Sequence, residues 1–199
     1  MRIIDCQQGS QEWLTARAGI PTASNFDLIL TTKGERSKQR EKYLYRLAGE
    51  RVTGLCEETY QNGAMLRGKE MESEARQYYE LTTGEIVQQV GLYMTEGNAI
   101  YAASPDGIVG KDGLVEIKCP LIATQVSYLL NNELPSEYFL QTQGQLLVTE
   151  RKWVDFLSYY PGLKPLQIRV KRDEKFIRTL RIELEIFCSE LEEVIAKIK

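Results

Sequence analysis

The chain has 199 residues and a net charge of −3, with 43% hydrophobic and 27% charged residues, the balance of an ordinary globular domain. Its four cysteines are scattered and it has no histidine, which excludes Ser-His-Asp and Cys-His hydrolysis, His-ligated zinc and a histidine general base, and disfavours a disulfide scaffold. No apolar run is long enough to span a bilayer, and the opening MRIIDCQQGSQEW lacks the regions of a signal peptide, so a reducing cytoplasm is the expected setting.

In chain order, Ser10 is placed to cap a helix through Arg17, closed by Gly19, and Thr22 to cap a second short helix through Leu30. The stretch KGERSKQREKYLYR, residues 33–46, sets six basic residues against two acids. Such a stripe either follows phosphates or is a solvated helix face. It leads into a helix over about 37–51, with Tyr43, Leu44, Leu47 and Ala48 apolar and Gly54 as terminator. Another helix spans about 65–81, its buried stripe marked by Met71, Ala75, Tyr78 and Tyr79. Strands are expected at 85–90, 92–95, 100–104 and 114–119. A helix near 123–130 and one from Pro135 to Val148 follow, then strands 153–159 and 166–170. A long helix from Asp173 carries Phe176, Ile177, Leu180, Leu184, Phe187, Leu191, Val194 and Ile198. No repeat or linker divides the chain, so residues 1–199 read as one α/β domain, a mixed central sheet flanked by helices.

The segment SPDGIVGKDGLVEIKCP, residues 104–120, carries the densest chemistry. Strand alternation puts Glu116 and Lys118 on one face and Val115 and Ile117 on the other. A turn at GKDG folds 114–119 back and brings Asp106 near Glu116. Spacing alone leaves a solvated salt bridge open. Glu72 sits near the core-facing edge of its helix, where a carboxylate needs a partner or a cation. Tyr138, Gln141 and Gln145 share one helical face.

Together, Glu72, the PD at 105–106, the ExK at 116–118 and Gln141 resemble the PD-(D/E)xK nuclease superfamily. The blocks PTASNF (21–26), RGKEMESEAR (67–76), SPDG (104–107), EIKCP (116–120) and YFLQTQ (138–143) stand in the order seen in lambda exonuclease and its viral and phage alkaline-exonuclease relatives. RDEKFI (172–177) fits as well, and the resemblance covers roughly residues 8–198.

The resemblance implies a restriction-endonuclease-like core in which Asp106, Glu116 and the Ile117 carbonyl hold Mg²⁺ or Mn²⁺, two ions in all, with Glu72 supporting them through water. Lys118 would orient or deprotonate the attacking water and offset phosphate charge. Arg17, Ser24, Ser104 and Gln141, with Thr22 at a helix start, match a 5′-phosphate pocket, and Met65 falls where the family carries a strand-separating wedge, though it reads equally as core. The implied activity is 5′-to-3′ digestion of one strand of a duplex DNA end. The implied assembly is a ring-shaped homotrimer beside a single-strand annealing recombinase, of phage or prophage origin. Rival readings are a restriction-type endonuclease, an iron–sulfur nuclease, which needs grouped cysteines, and a non-catalytic DNA-binding protein on a nuclease fold.

Overall fold

A computed structural model describes residues 1–56 and 63–199, apart from the side chains at 63–66 and 69. The elements are β1 (Arg2–Ile4), α1 (Gln11–Arg17), a 3₁₀ turn (Ala23–Leu28), α2 (Arg40–Thr53), α3 (Gly63–Thr83), β2 (Val87–Gln88), β3 (Leu92–Met94), β4 (Ala102–Ala103), β5 (Gly107–Val109), β6 (Gly113–Lys118), α4 (Ile122–Asn131), a second 3₁₀ turn (Ser136–Tyr138), α5 (Phe139–Thr149), β7 (Trp153–Ser158), β8 (Leu166–Lys171) and α6 (Glu174–Ile198). The strands form a small sheet, β1-β3-β4, and a five-stranded sheet, β2-β5-β6-β7-β8. Only β6 and β7 pair in parallel, joined by the α4–α5 crossover; the other neighbours in that sheet are antiparallel. This is the mixed α/β architecture expected from the sequence.

Alternation along β6 sorts the core. Val115 and Ile117 pack with Ala75 and Tyr79 of α3. Leu114 faces the larger cluster containing Leu146 of α5, Leu180 and Phe187 of α6, and Tyr43 and Leu47 of α2. Each fully buried leucine or phenylalanine there contributes about 1.5–3 kcal/mol of transfer free energy. Glu116 follows Leu114 on the face turned toward α5.

Several boundaries differ from expectation for local reasons. The hairpin partner of β6 is the three-residue β5, not strand 100–104, whose Ala102–Ala103 pairs with β3 in the other sheet. Gly107 opens β5 because a Cβ there would lie 2.2 Å from Val87 Cγ1 on the neighbouring strand. The helix begun at Thr22 is a 3₁₀ turn ending at Leu28, with no side-chain cap, since the Thr22 hydroxyl is engaged by other side chains. The helix expected from Pro135 opens as the second 3₁₀ turn before α5. Tyr78 is 36% exposed, lying against the Tyr159 ring rather than in the core. At the C-terminus Ile195 continues the buried stripe of α6, while Ile198 is exposed.

Two arginines of the basic stripe, with Arg51 beyond it, form part of a helix–helix seam. Arg36 meets Glu183 at 2.9 Å, Arg40 pairs with Glu190, and Arg51 reaches Glu192 at 3.5 Å, so α2 and its lead-in neutralise acids of α6. Lys33, Lys38 and Lys42 remain exposed. The phosphate-following role thus loses two of its arginines, Arg36 and Arg40, to internal pairing.

Candidate active site

Asp106 immediately precedes β5, where the chain leaves Pro105 and enters the hairpin. Ile117 lies beyond the last β5–β6 pair, Gly107↔Val115, so its amide has no strand partner on that edge. It donates instead to Asp106 Oδ2 at 2.6 Å. An antiparallel residue presents its N–H and C=O to the same side, so the Ile117 carbonyl opens toward the edge that Asp106 occupies.

Glu116 is 1% exposed and fully engaged. Its Oε1 accepts from Gln141 Nε2 at 2.5 Å and lies 2.6 Å from Lys118 Nζ; its Oε2 accepts from Gln145 Nε2 at 2.5 Å. Gln141 and Gln145, one turn apart on α5, form a two-armed clamp. The Lys118 ammonium also lies 5.2 Å from the centre of the Tyr138 ring. Burial pulls the Lys118 pKa down, but Glu116 and Asp106 outweigh it and hold the group above the ordinary lysine value. Lys118 is therefore a fixed positive charge at neutral pH.

Asp106 is pushed the other way. Burial, then the Glu116 charge, raise its pKa well above the ordinary carboxylate range; Lys118 opposes, and Glu72 adds to the rise. Glu72, half-buried on α3, pairs with Arg76 one turn on, at 3.0 Å. Among the described residues no group of three or more His, Cys, Asp or Glu side chains converges into a metal cage.

A second cluster forms around Thr22. Arg17 Nη2 donates to Thr22 Oγ1 at 3.0 Å, Thr22 Oγ1 and Ser24 Oγ are 3.2 Å apart, and Asn25 Nδ2 donates to the same Thr22 oxygen at 3.2 Å. Arg17 stacks 4.1 Å over the Trp13 ring, and Trp13 Nε1 donates to Ser104 Oγ at 2.9 Å. Arg17, Thr22, Ser24 and Ser104 thus belong to one connected set, whereas Gln141 sits on Glu116. The Arg17 pKa is lowered, mainly by burial, with Glu50 opposing the fall. Asp106 and Glu72 line a cleft of about 1360 Å³ together with Trp13, Arg17, Thr22 and Arg76, whereas Glu116, Lys118, Ser24 and Ser104 are not among its lining residues. The Met65 side chain lies outside the described residues.

Trp13, Asn25, Gln145 as a Glu116 partner and Arg76 were not picked out as site residues from the sequence. Two of them were findable, because Trp13–Arg17 and Glu72–Arg76 are i,i+4 pairs on helices.

Similarity to known proteins agrees with this fold. The crystal structure of an alkaline exonuclease (LHK-Exo) from Laribacter hongkongensis superposes with a TM-score of 0.87 at 38% identity, covering 95% of this chain and 96% of that one. The same enzyme in complex with dAMP matches equally, with a TM-score of 0.87. A phage-related exonuclease from Haemophilus somnus 129PT shares the fold, with a TM-score of 0.70 at 14% identity over 90% of this chain and 96% of that one. An uncharacterized protein, R354, of Acanthamoeba polyphaga mimivirus is 29% identical over 175 residues, 79% of this chain; the chain spans 30% of that protein's length. Residues 12–152 match the YqaJ-like viral recombinase domain, and the chain belongs to that family.

Proposed function

We propose that the protein is a nuclease, and specifically a Mg²⁺-dependent 5′-to-3′ exonuclease that digests one strand of linear duplex DNA and releases 5′-mononucleotides. The observation that carries this reading is the cleft that Asp106 and Glu72 line together with Arg17 and Thr22. Cleavage chemistry and recognition of a strand end need that proximity. The likeness to an alkaline exonuclease, solved also with dAMP, supports the same class of substrate and product.

The residues present suit a hard divalent ion. Asp106 and Glu116 are oxygen donors close enough to interact electrostatically, and burial, then the Glu116 charge, raise the Asp106 pKa, a penalty that a hard cation would relieve. Asp106, Glu116 and Ile117 would hold the ion directly and Glu72 through water; the reading includes a second ion, and Mn²⁺ would substitute. Bound there, Mg²⁺ supplies Lewis-acid stabilisation of phosphate oxygens and makes a water more acidic. Gln141 and Gln145 hold the Glu116 carboxylate in place. Lys118, kept charged, stabilises negative charge gathering on the phosphate and orients the attacking water rather than taking its proton. Arg17, Thr22, Ser24 and Ser104 anchor the 5′-terminal phosphate, so that the scissile bond lies at the carboxylates.

The reading extends to a homotrimeric ring around DNA, working with a single-strand annealing recombinase in a bacterial host. A linear duplex labelled at either the 5′ or the 3′ end of one strand tests the activity. Early release of labelled mononucleotide from the 5′ label alone, only with Mg²⁺, is expected. Early release from the 3′ label would overturn the polarity.

A further inference from the structure

Arg17, Arg46 and Arg76 line the cleft, and the pocket described above uses only Arg17. Arg76 is committed to Glu72 at 3.0 Å. Arg46, on α2, is less engaged. It forms an i,i+4 ion pair with Glu50, its Nε 3.9 Å from Glu50 Oε1, which is too long for a hydrogen bond. That Nε is buried and makes no hydrogen bond among the described residues. The guanidinium rests on the Tyr43 ring, 4.8 Å from its centre. Stacking satisfies the flat face of an arginine but none of the N–H groups on its edge.

A short run of contacts joins this residue to Arg17. Arg17 donates to the Thr22 hydroxyl at 3.0 Å, the Thr22 amide donates to Tyr43 Oη at 3.3 Å, and the Tyr43 ring carries Arg46. Two guanidiniums therefore bracket Thr22 and Tyr43 in one partly buried cleft. Burial is the main cause of the lowered Arg17 pKa; Glu50, which lines the same cleft, opposes it, and the Arg46 charge adds to it. Glu50 is one carboxylate beside two guanidiniums, so a surplus of positive charge remains there for an anion to offset. A terminal phosphate carries between one and two negative charges at neutral pH and offers three acceptor oxygens, more than one arginine fork can occupy.

We propose that Arg46 is a second phosphate-binding residue, gripping the 5′-terminal phosphate together with Arg17 and setting the preference for a phosphorylated over a hydroxyl end. The inference rests on the reading of the cleft as the seat of a DNA end. The alternative role for Arg46 is to cover Tyr43.

The test is equilibrium binding in EDTA, where no cleavage intervenes, of a short blunt duplex bearing a 5′-phosphate and of its 5′-hydroxyl twin. Arg46→Met keeps an apolar stem over Tyr43 while removing the charge, and Arg46→Lys keeps the charge without the fork. The phosphate-to-hydroxyl affinity ratio is expected to fall about ten-fold in Arg46→Met, and less in Arg46→Lys. A covering role would weaken stability, or binding of both duplexes alike, and leave the ratio unchanged. A full ratio in Arg46→Met, or no ratio in a wild type that digests linear DNA, overturns the inference while the nuclease reading stands. A ratio that falls in Arg46→Met, in a wild type that digests nothing with Mg²⁺, supports the phosphate site and overturns the nuclease.

Discussion

The Lys118 ammonium lies 2.6 Å from Glu116 Oε1 while the Gln141 amide donates to the same oxygen, so one carboxylate oxygen anchors both a fixed charge and a helix. Lysine raised above its ordinary pKa makes a poor base and a durable cation. Lys118→Met is therefore expected to cut turnover by roughly a hundred- to thousand-fold while divalent-ion binding, followed by calorimetry, persists. Near-wild-type turnover would make Lys118 a structural partner of Glu116 and nothing more.

Asp106 supplies a prediction about pH. Its folded pKa is raised, so its contribution to stability is fully present below the unfolded carboxylate range and is lost as pH rises through the folded value. In EDTA, wild type should lose stability relative to Asp106→Asn from about pH 4 upward, and Mg²⁺ should restore it. Each kcal/mol shows as about 2–4 °C of melting temperature for a chain of this size. Parallel pH profiles for the two proteins would mean that the carboxylates do not repel.

Arg17 is the residue on which the proposed 5′-phosphate pocket chiefly rests. Charge-assisted hydrogen bonds contribute about 1.5–3 kcal/mol, so Arg17→Ala should lower the initiation rate on 5′-phosphorylated ends about ten- to a hundred-fold. The rate on 5′-hydroxyl ends should change little. Initial rates on the two substrates decide it, and an undiminished phosphate preference would move the pocket elsewhere.

Gly144 couples packing to the site. A Cβ at this position would lie 2.5 Å from Phe26 Cδ2, in the contact between α5 and the first 3₁₀ turn. Gly144→Ala is expected to destabilise the fold by about 1–3 kcal/mol and to lower activity, since α5 carries the Gln141–Gln145 clamp and the turn carries Ser24. Thermal melting beside the digestion rate checks both, and an unchanged melting temperature would show that Phe26 has room to move.

The sequence displayed this site unevenly. The alternation that pairs Glu116 with Lys118, the Ser10 cap, the Gly54 stop and the α6 stripe were legible because each follows a local period or a terminal residue. The first arm of the hairpin was not among the expected strands, because Gly107–Val109 is too short to announce one. The seam between α2 and α6 was hidden because its pairing is non-local. Opposite charges about 150 positions apart meet only once the fold is closed, as Arg40 and Glu190 do. Gln141 was expected both in the catalytic set and at the phosphate, and its amide donates to Glu116; helical spacing fixed its face but not this neighbour.

Asp106 and Glu116 are proposed to hold the divalent ion needed for hydrolysis of DNA from its ends. Digestion of a linear duplex and of the same DNA as a covalently closed circle, with Mg²⁺ or EDTA, by wild type and Asp106→Asn tests this directly. Nucleotide release is expected from the linear form alone, only with Mg²⁺, and none from Asp106→Asn. Cleavage of the circle, digestion in EDTA, or an active Asp106→Asn would contradict it.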